Sequence, residues 1–131
     1  MAHETEPVFH EAGPLMFELQ YRGGEDRFAG PTFKVHARGP ENHWKLVMRF
    51  DCTVAGPHWH EVWKDGPEKI MQWTNTDMAE AVKLSTAEIR ATLPEKLEKL
   101  GWRAEADAAR SPDLRRKVSG LCRDFEQLLA D

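Results

Sequence analysis

The stretch RFDCTVAGPHWHEVW, from Arg49 to Trp63, has the pattern of two strands joined by a tight turn. Apolar and polar residues alternate on both sides of VAGP, and turns this short join neighbouring antiparallel strands. Successive side chains of a strand leave opposite faces of the sheet. The pattern therefore places His58 and His60 on one face and the two tryptophans, Trp59 and Trp63, on the other.

The same alternation predicts further strands on both sides of this stretch. LMFELQYR and TFKVHAR alternate before it, and IMQW follows the turn DGPEK. Connections this short favour an antiparallel meander. In the longest strand candidate, HWKLVMRFDCT, regular alternation turns one set of side chains inward: Trp44, Leu46, Met48, Phe50 and Cys52.

After the last strand, the apolar period changes to that of helices. Asp77 is a capping residue at the start of this region. Pro94 predicts that the helical stretch divides into residues 77–91 and 93–100. Ser111 followed by a proline marks the start of a final helix with a continuous apolar stripe.

Strands followed by helices indicate an α+β fold. We expect a four- to five-stranded, mainly antiparallel sheet, packed on one face by the C-terminal helices. Residues 1–13 are predicted to be a flexible N-terminal tail and residues 14–131 a single α+β domain. Within the domain, the sheet spans about 15–73 and the helices about 77–130. The other face of the sheet is then left for solvent or a partner.

The composition excludes several classes of protein. A net charge of −4 over 131 residues argues against binding to duplex nucleic acid, although RNA is not excluded. No apolar run approaches the length of a membrane span, and the acidic N-terminus lacks the features of a signal peptide. The only cysteines, Cys52 and Cys122, suggest free thiols in a reducing compartment. We expect a cytoplasmic protein that does not bind membranes.

The face opposite the tryptophans carries the residues that could bind a metal or catalyse a reaction. Two histidines on one strand can share a metal ion such as Zn²⁺ or another divalent metal, although no cofactor is assured. Alternatively, a metal-free acid–base site could cleave RNA, with arginine holding the phosphate. The metal candidates are His58, His60, Asp51 and His36, and the catalytic candidates are His58, His60, Asp51 and Arg49.

Five tryptophans in 131 residues favour a third interpretation. Tryptophan is enriched at protein contacts, and a free sheet face or edge is a common docking surface. The preferred function is therefore a non-catalytic interaction or accessory module, with a protein partner or self-association. The alternative is a small His/Asp hydrolase, RNase-like and either metal-dependent or metal-free.

The run RFDC followed by PHWH resembles a small bacterial domain family of unknown function, in which a strand ending F-D-C leads into a P-H-aromatic-H strand. It is also similar to the TumE-type toxins of toxin–antitoxin systems. The resemblance covers about residues 15–100 and implies a sheet-then-helix fold in an intracellular bacterial protein. For a toxin, it would carry over Asp51, His58 and His60. Residues 103–131 fall outside it and look like an added helix for partner binding.

Overall fold

The computed structural model describes residues 4–23, 29–39 and 42–129. Within these ranges, six strands are followed by three helices, which confirms the α+β class. The strands are β1 (Val8–Ala12), β2 (Leu15–Arg22), β3 (Gly30–Arg38), β4 (Trp44–Asp51), β5 (His58–Val62) and β6 (Glu68–Gln72). The helices are α1 (Met78–Lys99), α2 (Arg103–Ala109) and α3 (Pro112–Gln127). Position 130, the expected end of the last helix, lies outside the described residues.

The sheet is an antiparallel meander in the order β1-β2-β3-β4-β5-β6. The helices cover one face, which we call the inner face, and the opposite side is the outer face. Phe33 on β3 meets Phe125 on α3 edge-to-face, with ring centroids 5.2 Å apart. Both rings are completely buried, so this contact joins the two layers at the centre of the core.

The sheet has six strands rather than the four or five expected, because residues 8–12 form β1 instead of a tail. Val8 and Phe9 are consecutive apolar residues, so this strand lacks the alternation that marks the others. An edge strand pairs on one side only and can leave its side chains exposed. The chain before β1 is also attached, since the Thr5 amide donates to the Tyr21 carbonyl at 2.9 Å. Residues 1–3 of the expected tail lie outside the described residues.

The predicted capping residues are confirmed. The Asp77 carboxylate accepts a hydrogen bond from the Glu80 amide at 2.8 Å, and α1 begins directly after Asp77. The Ser111 hydroxyl accepts from the Leu114 amide at 3.2 Å, and Pro112 takes the first position of α3. These side chains satisfy amides that the first helical turn leaves without a carbonyl partner.

The predicted break at Pro94 is wrong, because α1 continues through it. A proline in a helix interior removes its own amide hydrogen bond and its ring crowds the carbonyl of the preceding turn, at a total cost of about 3 kcal/mol. Pro94 is buried, as are Leu93 and Leu97 beside it. Burial of this apolar face offsets the lost hydrogen bond. None of the helices in the described part of the chain is long and apolar enough to span a membrane.

A β-bulge changes the faces of β4. The register between β3 and β4 shifts at Val35–His36, so that one extra residue, Val47, enters β4. Val47 is completely buried, whereas Leu46 pairs with His36 on the outer face. Trp44 likewise pairs with an outer-face residue, Arg38. The inward assignment of Trp44 and Leu46 by regular alternation is therefore wrong.

Candidate metal centre

Strands β4 and β5 position the four residues of the opening motif that carry chemistry. Asp51 pairs directly with His58, and Arg49 pairs directly with His60. Cross-strand partners place their side chains on the same face of a sheet. The turn over residues 52–57 therefore gathers all four side chains on the outer face, as the sequence pattern predicted.

Asp51 is the centre of the cluster. Its Oδ2 atom lies 3.2 Å from His58 Nε2 and 3.3 Å from His60 Nε2. Only 2% of the Asp51 side chain is exposed, and its buried Oδ1 atom has no hydrogen-bond partner among the described residues. An unpartnered oxygen on a buried carboxylate is costly unless a ligand or solvent satisfies it.

The two imidazoles have their Nε2 atoms facing Asp51, because other acceptors hold their Nδ1 atoms. His58 Nδ1 lies 2.9 Å from the Gly56 carbonyl oxygen, and His60 Nδ1 lies 3.0 Å from Glu68 Oε2. Carbonyl and carboxylate oxygens only accept, so Nδ1 is the donor in each imidazole. In a neutral ring, Nε2 then carries a lone pair directed at Asp51.

Arg49 makes the cluster's cationic contact. Its Nε atom donates to Asp51 Oδ2 at 2.8 Å, and its Nη2 atom lies 3.1 Å from His60 Nε2. The Arg49 side chain is 32% exposed, so the guanidinium reaches the protein surface. It thus bridges the carboxylate and one imidazole in the position where their lone pairs converge.

His36 also lies on the outer face but belongs to a separate group. Its Nε2 atom is 3.4 Å from Glu18 Oε1, and Lys34 Nζ is 3.4 Å from Glu18 Oε2. Burial lowers the pKa of His36, against the opposite effect of the Glu18 carboxylate. Within the described ranges, the residues whose ligand atoms lie within 4.8 Å of one another are Asp51, His58 and His60. The structure therefore does not bring His36 into the cluster.

Sequence reasoning missed Glu68, the partner of His60. Glu68 begins β6, whose Ile70 pairs directly with His60. A residue two positions from a direct cross-strand partner lies on the same face at diagonal reach. Pairing the fifth predicted strand with HWHEV, with the start of that strand moved back to Glu68, would have pointed to this contact.

Glu61 lies on the inner face and is structural. Its carboxylate accepts from Lys96 Nζ and Lys99 Nζ, both at 2.8 Å, and from Trp59 Nε1 at 3.2 Å. Burial opposes ionisation, but these three donors outweigh it and lower the pKa of Glu61 to about 2. The acid that interrupts the apolar face of β5 is thus an anchor for α1.

Comparisons with known proteins agree with the resemblance to a family of unknown function. Neither the curated proteins nor the solved structures gave a match. The matching family model spans residues 9–124, so most of the C-terminal region lies inside the family rather than being an addition to it. The chain belongs to the DUF7700 family, a domain of unknown function.

Proposed function

We propose that Asp51, His58 and His60 bind a divalent transition-metal ion, with Zn²⁺ as the best match to their donor atoms. The observation that carries this proposal is the convergence of two imidazole Nε2 atoms on one carboxylate oxygen, at 3.2 and 3.3 Å. Neutral imidazole nitrogen and carboxylate oxygen are common ligands of Zn²⁺. With neutral imidazoles these atoms offer only lone pairs to one another, and the Arg49 guanidinium contacts Asp51 Oδ2 and His60 Nε2 but not His58. A metal ion bound among them would satisfy all three.

The two separations that involve Asp51 Oδ2 fit a metal site, and all three ligand atoms lie within 4.8 Å of one another. Ligands about 2.0–2.1 Å from a tetrahedral ion are separated by roughly 3.3 Å from one another. The separations between Asp51 Oδ2 and the two Nε2 atoms match this value. The outer contacts fit as well, since metal-binding histidines usually donate their other ring N–H to a carbonyl or carboxylate. Gly56 and Glu68 accept these hydrogen bonds.

Three protein ligands leave a fourth position for water or a substrate. That arrangement is typical of catalytic zinc sites, whereas structural sites use four protein ligands. A metal in such a site lowers the pKa of its bound water and supplies a nucleophile near neutral pH. We therefore propose hydrolysis as the reaction class, with both histidines and the aspartate as ligands rather than as an acid–base set.

Elemental mass spectrometry of untagged protein tests the metal proposal. The protein would be incubated with Zn²⁺ and passed through a size-exclusion column before analysis. We expect near-stoichiometric Zn²⁺ in the wild type and its loss in the His58→Ala/His60→Ala double variant. His36→Ala is the matched control, because it removes an outer-face histidine outside the cluster. A wild type without Zn²⁺, or a double variant that retains it, would contradict the proposal.

Protein docking is the second candidate function, and the edge strands favour it. Val8 and Phe9 on β1 are 49% and 54% exposed, and Ile70 on β6 is 59% exposed. Edge strands with exposed apolar side chains are prone to pair with another chain. Because every copy presents the same edge strand, and identical surfaces can pair across a two-fold axis, we propose a second copy of this chain as the occupant. Light scattering should then detect a dimer that Phe9→Lys or Ile70→Lys disrupts, and a monomer at every concentration would contradict this function.

A further inference from the structure

We infer that Arg49 is the built-in counter-cation of the outer-face site, and that metal binding releases its guanidinium to hold an oxyanion. This inference rests on the proposed metal site and names the class of ligand that completes it. The ligand carries a phosphate or carboxylate group, placed between the metal and the side chains of Arg49 and Lys34.

The contacts of Arg49 set up a direct competition with a metal ion. Its Nη2 atom lies 3.1 Å from His60 Nε2, and its Nε atom donates to Asp51 Oδ2 at 2.8 Å. A neutral imidazole Nε2 has a single lone pair, which cannot serve both a guanidinium and a metal. Coordination by His60 therefore requires the Nη2 contact to break.

A second cation lies next to Arg49. Lys34 on β3 pairs directly with Arg49 on β4, so both side chains leave the outer face side by side. Lys34 and Arg49 are 28% and 32% exposed, so each can reach a bound molecule without opening the core. Lys34 Nζ touches Glu18 only at 3.4 Å, a long contact for a charged pair.

The net charge of the site and its neighbouring side chains changes sign when a divalent ion binds. At neutral pH, the groups in and beside the site are two cations, Lys34 and Arg49, and three carboxylates. With neutral histidines this leaves one net negative charge, which favours a cation. A divalent ion turns it into one net positive charge, which favours an anion at the fourth position.

An oxyanion is the anion that this arrangement would recognise. A guanidinium forms paired hydrogen bonds with the planar or tetrahedral oxygens of carboxylates and phosphates. One oxygen of the ligand can take the open metal position while others accept hydrogen bonds from Arg49. The released guanidinium thereby gains a new partner in place of His60.

Zn²⁺ affinity, measured by competition with a chromophoric chelator, tests the first half of the inference. If Arg49 competes with the metal, Arg49→Ala and the shorter, uncharged Arg49→Gln should each bind Zn²⁺ about tenfold more tightly than the wild type. Arg38→Ala, an outer-face arginine stacked on Trp44, is the control and should leave the affinity unchanged. Equal or weaker Zn²⁺ binding by both Arg49 variants would overturn the inference.

The second half is tested by repeating the titration with inorganic phosphate and, separately, with acetate. Whichever oxyanion binds should raise the Zn²⁺ affinity of the wild type by at least about fivefold, and the Arg49 variants should lose this coupling. The two probes distinguish a phosphate ligand from a carboxylate. Coupling that survives in the Arg49 variants, or that is absent with both anions, would overturn the inference. Failure of the wild type and of all variants to bind Zn²⁺ would overturn the proposed function as well.

Discussion

His60 Nδ1 and Glu68 Oε2 lie 3.0 Å apart, across the pair of strands that ends the sheet. This contact turns the opposite side of the imidazole, Nε2, toward Asp51 Oδ2. His58 reaches the same orientation through the Gly56 carbonyl. The two histidines are thus held by separate elements, β6 for His60 and the 52–57 turn for His58, and each element can be altered without changing a ligand.

Replacing Glu68 should weaken metal binding without removing a ligand. Glu68→Ala leaves the His60 ring without its acceptor, and loss of such an outer contact typically costs about 10–100-fold in metal affinity. Glu68 is nearly half exposed, so we expect about tenfold. Glu68→Gln keeps an acceptor and should fall between Glu68→Ala and the wild type. A chelator competition assay measures the series, with the exposed Glu95→Ala as control, and an unchanged affinity for Glu68→Ala would contradict the assigned role.

Glu61 should contribute to stability in a pH-dependent way. The Glu61→Gln variant removes the charge between the largely buried Lys96 and the half-exposed Lys99. Because only one of the two lysines is buried, we expect a loss of about 2 kcal/mol in the free energy of unfolding, below the range for a fully buried pair. Glu88→Gln is the control, because it removes only the exposed partner of Lys96. Urea unfolding at neutral pH should show a large loss for Glu61→Gln and little for Glu88→Gln.

The pH dependence follows from the sign of the pKa shift. The folded state lowers the pKa of Glu61 from 4.5 to about 2, so its contribution is complete above pH 4.5 and is lost as the pH falls toward 2. Wild type and Glu61→Gln should therefore converge in stability over that interval. A difference that stays constant down to pH 2 would show that the loss does not come from the carboxylate charge.

Because of the bulge in β4, we expect alanine substitutions at the neighbouring residues Leu46 and Val47 to have different effects on stability. Val47→Ala leaves a cavity in the core and should lower the free energy of unfolding by about 2 kcal/mol. Leu46→Ala, on the partly exposed outer face, should cost less than about 1 kcal/mol. Regular alternation predicts the reverse order. Chemical denaturation of the two variants distinguishes the bulged register from the regular one.

Both cysteines should be unreactive in the folded protein. Burial raises the pKa of Cys52 to about 12 and that of Cys122 to about 11, so both remain thiols at mildly alkaline pH. Ellman's reagent should therefore label neither cysteine until the protein is unfolded, when both should react. Rapid labelling of the native protein would contradict the buried positions of the two side chains.

Local sequence pattern was sufficient to predict which side chains share a face where one face of a strand is buried and its register is regular. The alternation of HWHEV identified the shared face of His58 and His60, and the tight turn brought Asp51 to them. The sequence shows Glu61 as an acid between two inward-facing tryptophans, but the lysines that bind it lie 35 and 38 residues away. Such distant partners depend on how α1 packs, which local pattern does not encode.

The wrong predictions share a physical cause, because tertiary contacts outweighed a local rule. β1 forms in spite of its lack of alternation, because β2 supplies its hydrogen bonds. Pro94 stays in α1 because the buried face around it holds the helix together. The bulge at Val47 depends on how β4 pairs with β3, and no residue in β4 indicates that pairing. Each of these features becomes visible only when the partner element is known.

Anomalous diffraction at the zinc edge, from crystals of the Zn²⁺-loaded protein, would locate the metal ion and its ligands. We predict one strong peak on the outer face, about 2.0–2.2 Å from an Asp51 carboxylate oxygen and from both His58 Nε2 and His60 Nε2. We also predict that Nη2 of Arg49 has left His60. A peak elsewhere on the protein, or the absence of any peak at this cluster in fully loaded crystals, would contradict the proposed metal site.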